Sequence, residues 1–247
     1  LNGRGTAVDS AGRAVTAPWS DGNVGMIGTS YDGTLPNAVA TTGTPGLKAI
    51  VAISAISDWY GYYRAGGAVV APDDYQGEDA DVLAKLVLTR KNPTVCAAVI
   101  RDLARRQDRR TGDENAFWAE RSYLADVGKV RAAVYVAHGL DDWNVKPSQA
   151  GRWYEALKAH GVPAKIYWHP GGHGGPPPLN QQVRWVTPSV MGGRNGVDAE
   201  PRAIIVNPLT YRNVRYADWP VPGMTSHPTS LSRLELRAGT MAPTLTF

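Results

Sequence analysis

Residues 130–168 constrain the fold more than any other stretch of the chain. Val130 to Ala137 is an apolar run of strand length, and Ala164-Lys165-Ile166-Tyr167-Trp168 alternates as a second strand does. Between them Ala150, Trp153, Tyr154 and Leu157 recur on one stripe of a helix predicted from about Pro147 to His160. Pro147 sits near its first turn and Gly161 just past its end, the usual asymmetry of helix punctuation. Strand, helix and strand in that order form a crossover unit, which requires a parallel sheet. Two further strand candidates lie upstream, Asn23 to Ile27 ending at Gly28, and Leu47 to Ile53. The expected fold class is therefore α/β.

The rest of the chain departs from that rhythm. Residues 58–128 carry many aromatic and charged residues and helical patterns such as Asp81 to Leu88, and read as a cap inserted over the sheet. After Gly174-Gly175-Pro176-Pro177-Pro178 the texture changes again, with strand-like Ala203-Ile204-Ile205-Val206 and Leu231 to Leu236 among proline-rich turns. The organisation predicted is an α/β domain over residues 1–198 and the opening of a β domain over 199–247. With 247 residues, 43% of them apolar, the chain can bury a sizeable core, and no apolar run is long enough to span a membrane.

Cys96, the single cysteine, cannot close an internal disulfide, and its neighbours Val95, Ala97 and Val99 predict an apolar packing position. The net charge is +4, and Arg101, Arg105, Arg106, Arg109 and Arg110 crowd together. Interrupted by Asp102 and Asp108, they read as a solvated face rather than a nucleic-acid stripe.

Three loops carry candidate chemistry. Gly28-Thr29-Ser30-Tyr31-Asp32-Gly33 follows a predicted strand and precedes a helix, the setting in which a tight turn lifts a serine hydroxyl above a sheet edge. Asp32 occupies the place where the usual pattern has its second glycine, which here comes one residue later. His138-Gly139-Leu140-Asp141-Asp142-Trp143-Asn144-Val145 follows the third strand, and His169-Pro170-Gly171-Gly172-His173-Gly174-Gly175 the fourth. Serine, carboxylate and histidine in that chain order suit nucleophilic catalysis: the imidazole takes the serine proton and the carboxylate orients and stabilises the imidazole. The residues alone leave Asp141 and Asp142 as alternatives for the acid, and His169 as a rival to His173. His160 reads as a helix-end charge and His138 as a strand-end residue. No H-E-x-x-H or paired Cys/His spacing points to a metal hydrolase.

Gly28-Thr29-Ser30-Tyr31-x-Gly33-Thr34 resembles the elbow of the Xaa-Pro dipeptidyl-peptidase family, including its displaced glycine, and His138-Gly139-Leu140-x-Asp142-Trp143-Asn144-Val145-Lys146 is similar to that family's acid loop. The related cocaine-esterase-like acyl hydrolases have a similar elbow, but the acid loop looks more like that of the peptidase branch. The resemblance runs from about Trp19 to Pro178 and, more weakly, through Arg202 to Pro222, where Tyr216 to Pro220 looks like the start of a jelly-roll domain. It implies an α/β-hydrolase fold with Ser30 as nucleophile, Asp142 as triad acid and His173 as base, and the Tyr31 backbone N–H as an oxyanion donor. It also implies an aromatic proline pocket at Trp59 and Tyr62, and Glu78 as anchor for the free amino terminus of a peptide whose second residue is proline. No cofactor is implied, nor a nucleic-acid or membrane partner. A complete hydrolase of this kind has several strands upstream of the elbow, so the chain is expected to be the later part of a catalytic domain.

Overall fold

The computed structural model describes residues 7–65, 68–69 and 79–224. Six strands form one sheet whose spatial order follows the sequence: β1 (Val24–Thr29), β2 (Leu47–Ile53), β3 (Ala133–Gly139), β4 (Ala164–His169), β5 (Ala203–Val206) and β6 (Asn213–Tyr216). The first five run parallel, and β6 returns antiparallel to β5. All the described strands of this sheet except β6 therefore end on the same edge, where ligands bind in open parallel sheets.

Alternation sorts the central strands into two cores. Ile50, Ala52, Val134, Val136, Ile166 and Trp168 face one side, where α1 (Tyr31–Ala40) and α6 (Ser148–Ala159) pack through Ala40, Trp153 and Leu157. Val51, Ile53, Tyr135 and Tyr167 face the other, covered by Trp185 of α7 (Leu179–Met191). Strands β2 and β3 are buried on both faces and accordingly read as nearly continuous apolar runs. The predicted strands and the helix at 147–160 match these elements to within a few residues; 3-10 turns occupy Tyr123–Lys129, so β3 starts at Ala133 rather than Val130.

Between β2 and β3 the chain forms α2 (Trp59–Tyr63), α3 (Ala80–Val87), α4 (Thr94–Arg106) and α5 (Ala116–Ala119). None of its described strand residues joins the six-stranded sheet. Tyr63, Phe117 and Trp118 make a separate small core. Arg64 and Asp79, both fully buried, pair at 2.7 Å beside it, and the Arg64 guanidinium lies 4.9 Å from the Trp118 ring centre. Arg109 bridges Asp79 and Asp81, while Arg105 and Arg106 pair with Asp102. Much of the arginine cluster thus neutralises acids within its own segment.

Two expectations are corrected. Residues 199–247 do not open a separate β domain at their start: Ala203–Val206 is β5 of the main sheet, and Asn213–Tyr216 pairs with it. Ala203, Ile204 and Val206 are buried, so the run is apolar because both its faces are covered, as in β2 and β3. The strand expected at Leu231 to Leu236 lies outside the described residues. Cys96 is only half-buried on α4, a helix with no buried residue. Val95 and Val99 beside it are more than half exposed, because α4 packs chiefly on α3 and not on the sheet.

Candidate active site

Ser30 stands alone between the last residue of β1 and the first of α1, with φ 63° and ψ −129°. A positive φ on a serine is a strained conformation worth on the order of 1–3 kcal/mol, held only where the surroundings fix it. They do so by contact. A Cβ on Gly28 would lie 2.1 Å from the Asp32 carbonyl oxygen, and one on Gly33 would lie 2.7 Å from Gly28 O and 2.9 Å from Ile53 O. Both positions must be glycine for strand and helix to close this tightly, which accounts for the glycine three places after the serine. The Ser30 N–H donates to Ile53 O at 2.9 Å, and Thr34 Oγ1 donates to Ser30 O while accepting the Ile56 N–H, so the turn is sewn to the exit of β2.

The acid and base loops are joined through their backbones. Leu140 N–H donates to His169 O at 2.8 Å and Asp141 N–H to Gly171 O at 3.1 Å. Any side chain on Gly139 would meet Gly171 O and Gly172 O at 2.2 Å. Within this frame the His173 Nδ1–H donates to Asp142 Oδ2 at 2.9 Å, with Asp142 fully buried and the imidazole partly exposed. Because a carboxylate only accepts, the bond puts the His173 proton on Nδ1 and leaves Nε2 as the basic nitrogen. Burial would push the Asp142 carboxyl up, but N–H donation from His138 and His173 outweighs it and holds the group far below the usual carboxylate range.

The alternatives left open by the residues separate clearly in space. Asp141 is exposed and makes no such bond among those described. His169 is occupied with its own loop, donating from Nε2 to Gly174 O at 2.9 Å and accepting the Gly171 N–H at Nδ1. His160 ends α6, and His138 is fully buried at the end of β3 with its Nε2 at 3.2 Å from Asp142.

Serine and histidine loops meet at Ser54, the first residue after β2. Its Oγ accepts the Gly174 N–H at 2.9 Å, one residue from His173, while the preceding Ile53 O holds Ser30. Ser54 is fully buried with φ 47°, and the reading of the residues does not single it out. A serine directly after an apolar strand is the only signal it leaves. Tyr31 is the first residue of α1, so its N–H is among those that lack an intrahelical acceptor.

Trp59 and Tyr62 are half-buried neighbours on α2, their rings edge to face at 5.9 Å. Trp59 Nε1–H donates to Tyr123 Oη, and Tyr62 Oη–H donates to Asn144 Oδ1 at 2.9 Å, two residues from Asp142. Asp58 caps α2, and Gln149 of α6 accepts the Ser57 and Asp58 N–H groups, which fixes the aromatic pair relative to the acid loop. Glu78 lies outside the described residues. Among the described residues no group of three or more His, Cys, Asp or Glu is placed to hold a metal ion, and no helix is long and apolar enough to cross a membrane. A cavity of about 500 Å³ opens at the opposite edge, beside Ala133, Ala164 and Trp185, remote from this constellation.

The family described as X-Pro dipeptidyl-peptidase (S15 family) matches residues 8–175, a span that includes the serine, acid and histidine loops. The chain belongs to this family. A Bacillus cereus protein provisionally named an Xaa-Pro dipeptidyl-peptidase is 50% identical over 226 residues, covering 90% of this chain and 39% of its own length. The Xaa-Pro dipeptidyl-peptidase of Lactiplantibacillus plantarum is 46% identical over 168 residues, 65% of this chain and 21% of that protein. The S15 chain thus spans about two fifths or less of the curated relatives it matches. A CocE/NonD family hydrolase from Staphylococcus aureus superposes with a TM-score of 0.60 at 16% identity, over 83% of this chain and 36% of that one. That likeness supports the α/β-hydrolase fold.

Proposed function

We propose that this S15 chain carries the triad of a serine peptidase that releases Xaa-Pro dipeptides, with Ser30 as nucleophile, His173 as base and Asp142 as acid. The observation that carries the reading is the 2.9 Å bond from His173 to a buried, ionised Asp142, at the sheet edge where the strained Ser30 turn also lies. Ser30 Oγ attacks the carbonyl carbon of the proline itself, and His173 Nε2 takes the hydroxyl proton. The oxyanion that forms draws on the Tyr31 N–H and the positive end of α1. As the C–N bond breaks, His173 returns the proton to the leaving amine, and a water then deacylates Ser30 by the same route.

The substrate rests on the names of the relatives and on the aromatic pair. Trp59 and Tyr62 offer flat apolar faces on which a proline ring stacks, at the flank of the acid loop. Glu78 is the proposed anchor for the substrate's free amino terminus, a charge-assisted contact. The peptide is the only partner the reading requires.

An Xaa-Pro arylamide with a free amino terminus tests it. Acetylating that terminus is expected to lower kcat/KM by about 100-fold or more, and Glu78→Gln to harm free-amine substrates far more than simple esters. Equal cleavage of blocked and free substrates would instead make the protein an acyl esterase or amidase.

A further inference from the structure

Asp142 Oδ2 is approached by two histidines, and the triad uses only one of them. His173 lies at 2.9 Å and His138 Nε2 at 3.2 Å. The second imidazole is fully buried, the penultimate residue of β3, in the strand that leads directly into the acid loop. Its Nε2 also lies 2.7 Å from Val145 O. Both groups facing that nitrogen only accept, so the proton is on Nε2, bonded to Val145 O with Asp142 Oδ2 alongside.

The bonds around Asp142 then form a closed set. Oδ1 accepts the Asn144 and Val145 N–H groups at 3.0 and 2.9 Å, and Oδ2 accepts the His173 N–H at 2.9 Å with His138 Nε2 beside it at 3.2 Å. An ionised carboxylate has about four acceptor sites; three hold hydrogen bonds and the fourth faces His138 Nε2. Val145 is held from both sides, its N–H by Asp142 and its carbonyl by His138. The turn that carries the acid is thus pinned back onto the end of β3.

We propose that His138 is a positioning residue of the triad: its Nε2–H ties Asp142 Oδ2 to the Val145 carbonyl and sets the carboxylate so that the same oxygen receives His173. The inference rests on the triad reading above. His138 touches no reacting atom, and its effect passes through Asp142 to the orientation of the base. A ring filling space at the same position would be replaceable by an apolar side chain; a ring supplying this N–H is replaceable only by another donor at the same reach. Gln offers one, since its amide nitrogen extends about as far from Cβ as imidazole Nε2, whereas Asn falls short.

The experiment compares His138→Leu, His138→Asn and His138→Gln in the full-length protein, reading kcat and KM on an arylamide and the rate at which a fluorophosphonate labels Ser30. Leu and Asn are expected to lower kcat and the labelling rate by about 10- to 100-fold with KM within a few-fold, the cost of a slightly misplaced catalytic group. Gln is expected to recover most of both. Wild-type kcat and labelling in the Leu variant, or in a folded Asn variant where Leu does not fold, would overturn the assignment, as would a Gln variant as slow as Asn. Ser30→Ala and His173→Ala run alongside. Labelling that survives either of them would sink the triad itself, whereas triad-dependent labelling indifferent to position 138 would sink only the role of His138.

Discussion

Asp142 and His173 follow β3 and β4, whereas Ser30 follows β1, and the two halves of the site are held in different ways. Most of β3 and β4 is buried, and their loops are bonded backbone to backbone through Leu140, Asp141 and the glycines that face them. β1 is the outermost strand of the described sheet, with Val24 and Ile27 about half exposed, and Ser30 is fixed by one strained turn and its bond to Ile53 O. Asp142 and His173, the proposed acid and base, therefore keep their geometry through many mutually supporting contacts, and stability and alignment are the same property there. In the serine half they oppose each other: the conformation that presents the hydroxyl is one the backbone would otherwise avoid.

The largest test removes one chemical group from each half. Ser30→Ala and His173→Ala are each expected to lower kcat on the order of 10⁶-fold, because the residues act as a unit, and Asp142→Asn about 10⁴-fold, by loss of the imidazole tautomer. Asp141→Asn, on an exposed residue, is expected to stay within a few-fold. Steady-state kinetics on an arylamide with active-site titration checks the series, and a Ser30→Ala enzyme retaining more than about a hundredth of the rate would remove Ser30 from the mechanism.

The next test sharpens the comparison through the backbone. Gly139→Ala sets a methyl group 2.2 Å from two carbonyl oxygens, between the acid and base loops. Overpacking of this kind costs about 3 kcal/mol, so the melting temperature and the fluorophosphonate labelling rate are expected to fall together. A Gly139→Ala protein with unchanged stability and a slow His173 would mean that the two loops are not one unit.

The contrast also explains what the residues disclosed in advance. The β3–α6–β4 unit was readable because its apolar periodicities are set by burial on both faces, and the elbow because Gly28 and Gly33 are dictated by approaches under 3 Å. β5 was misread as part of another domain. Its four apolar residues sit between proline- and glycine-rich segments, and nothing local tells a strand that joins an existing sheet from one that begins a new one. The contacts of His138 and Ser54 are not legible for a related reason: each is a polar residue at a strand end whose partners reach it only once the loops are folded over the sheet. A histidine four residues before the acid was visible, but its direction was not.

The smallest expected effect separates the two halves most cleanly. Ser30→Gly and Ser30→Ala both delete the proposed nucleophile and should be equally inactive, yet they differ in what they do to the turn. Alanine keeps a Cβ and therefore the cost of φ 63°, while glycine adopts positive φ readily. The relief is on the order of 1–3 kcal/mol, less about 0.5–1 kcal/mol for the greater freedom of glycine in the unfolded chain, so a net gain of about 1 kcal/mol is expected for glycine over alanine. Differential scanning calorimetry or urea unfolding of the two variants resolves that difference, because it cancels everything they share, including the lost hydroxyl. A glycine variant no more stable than alanine would mean that the turn carries no strain, and the serine half would then be held no differently from the acid and base.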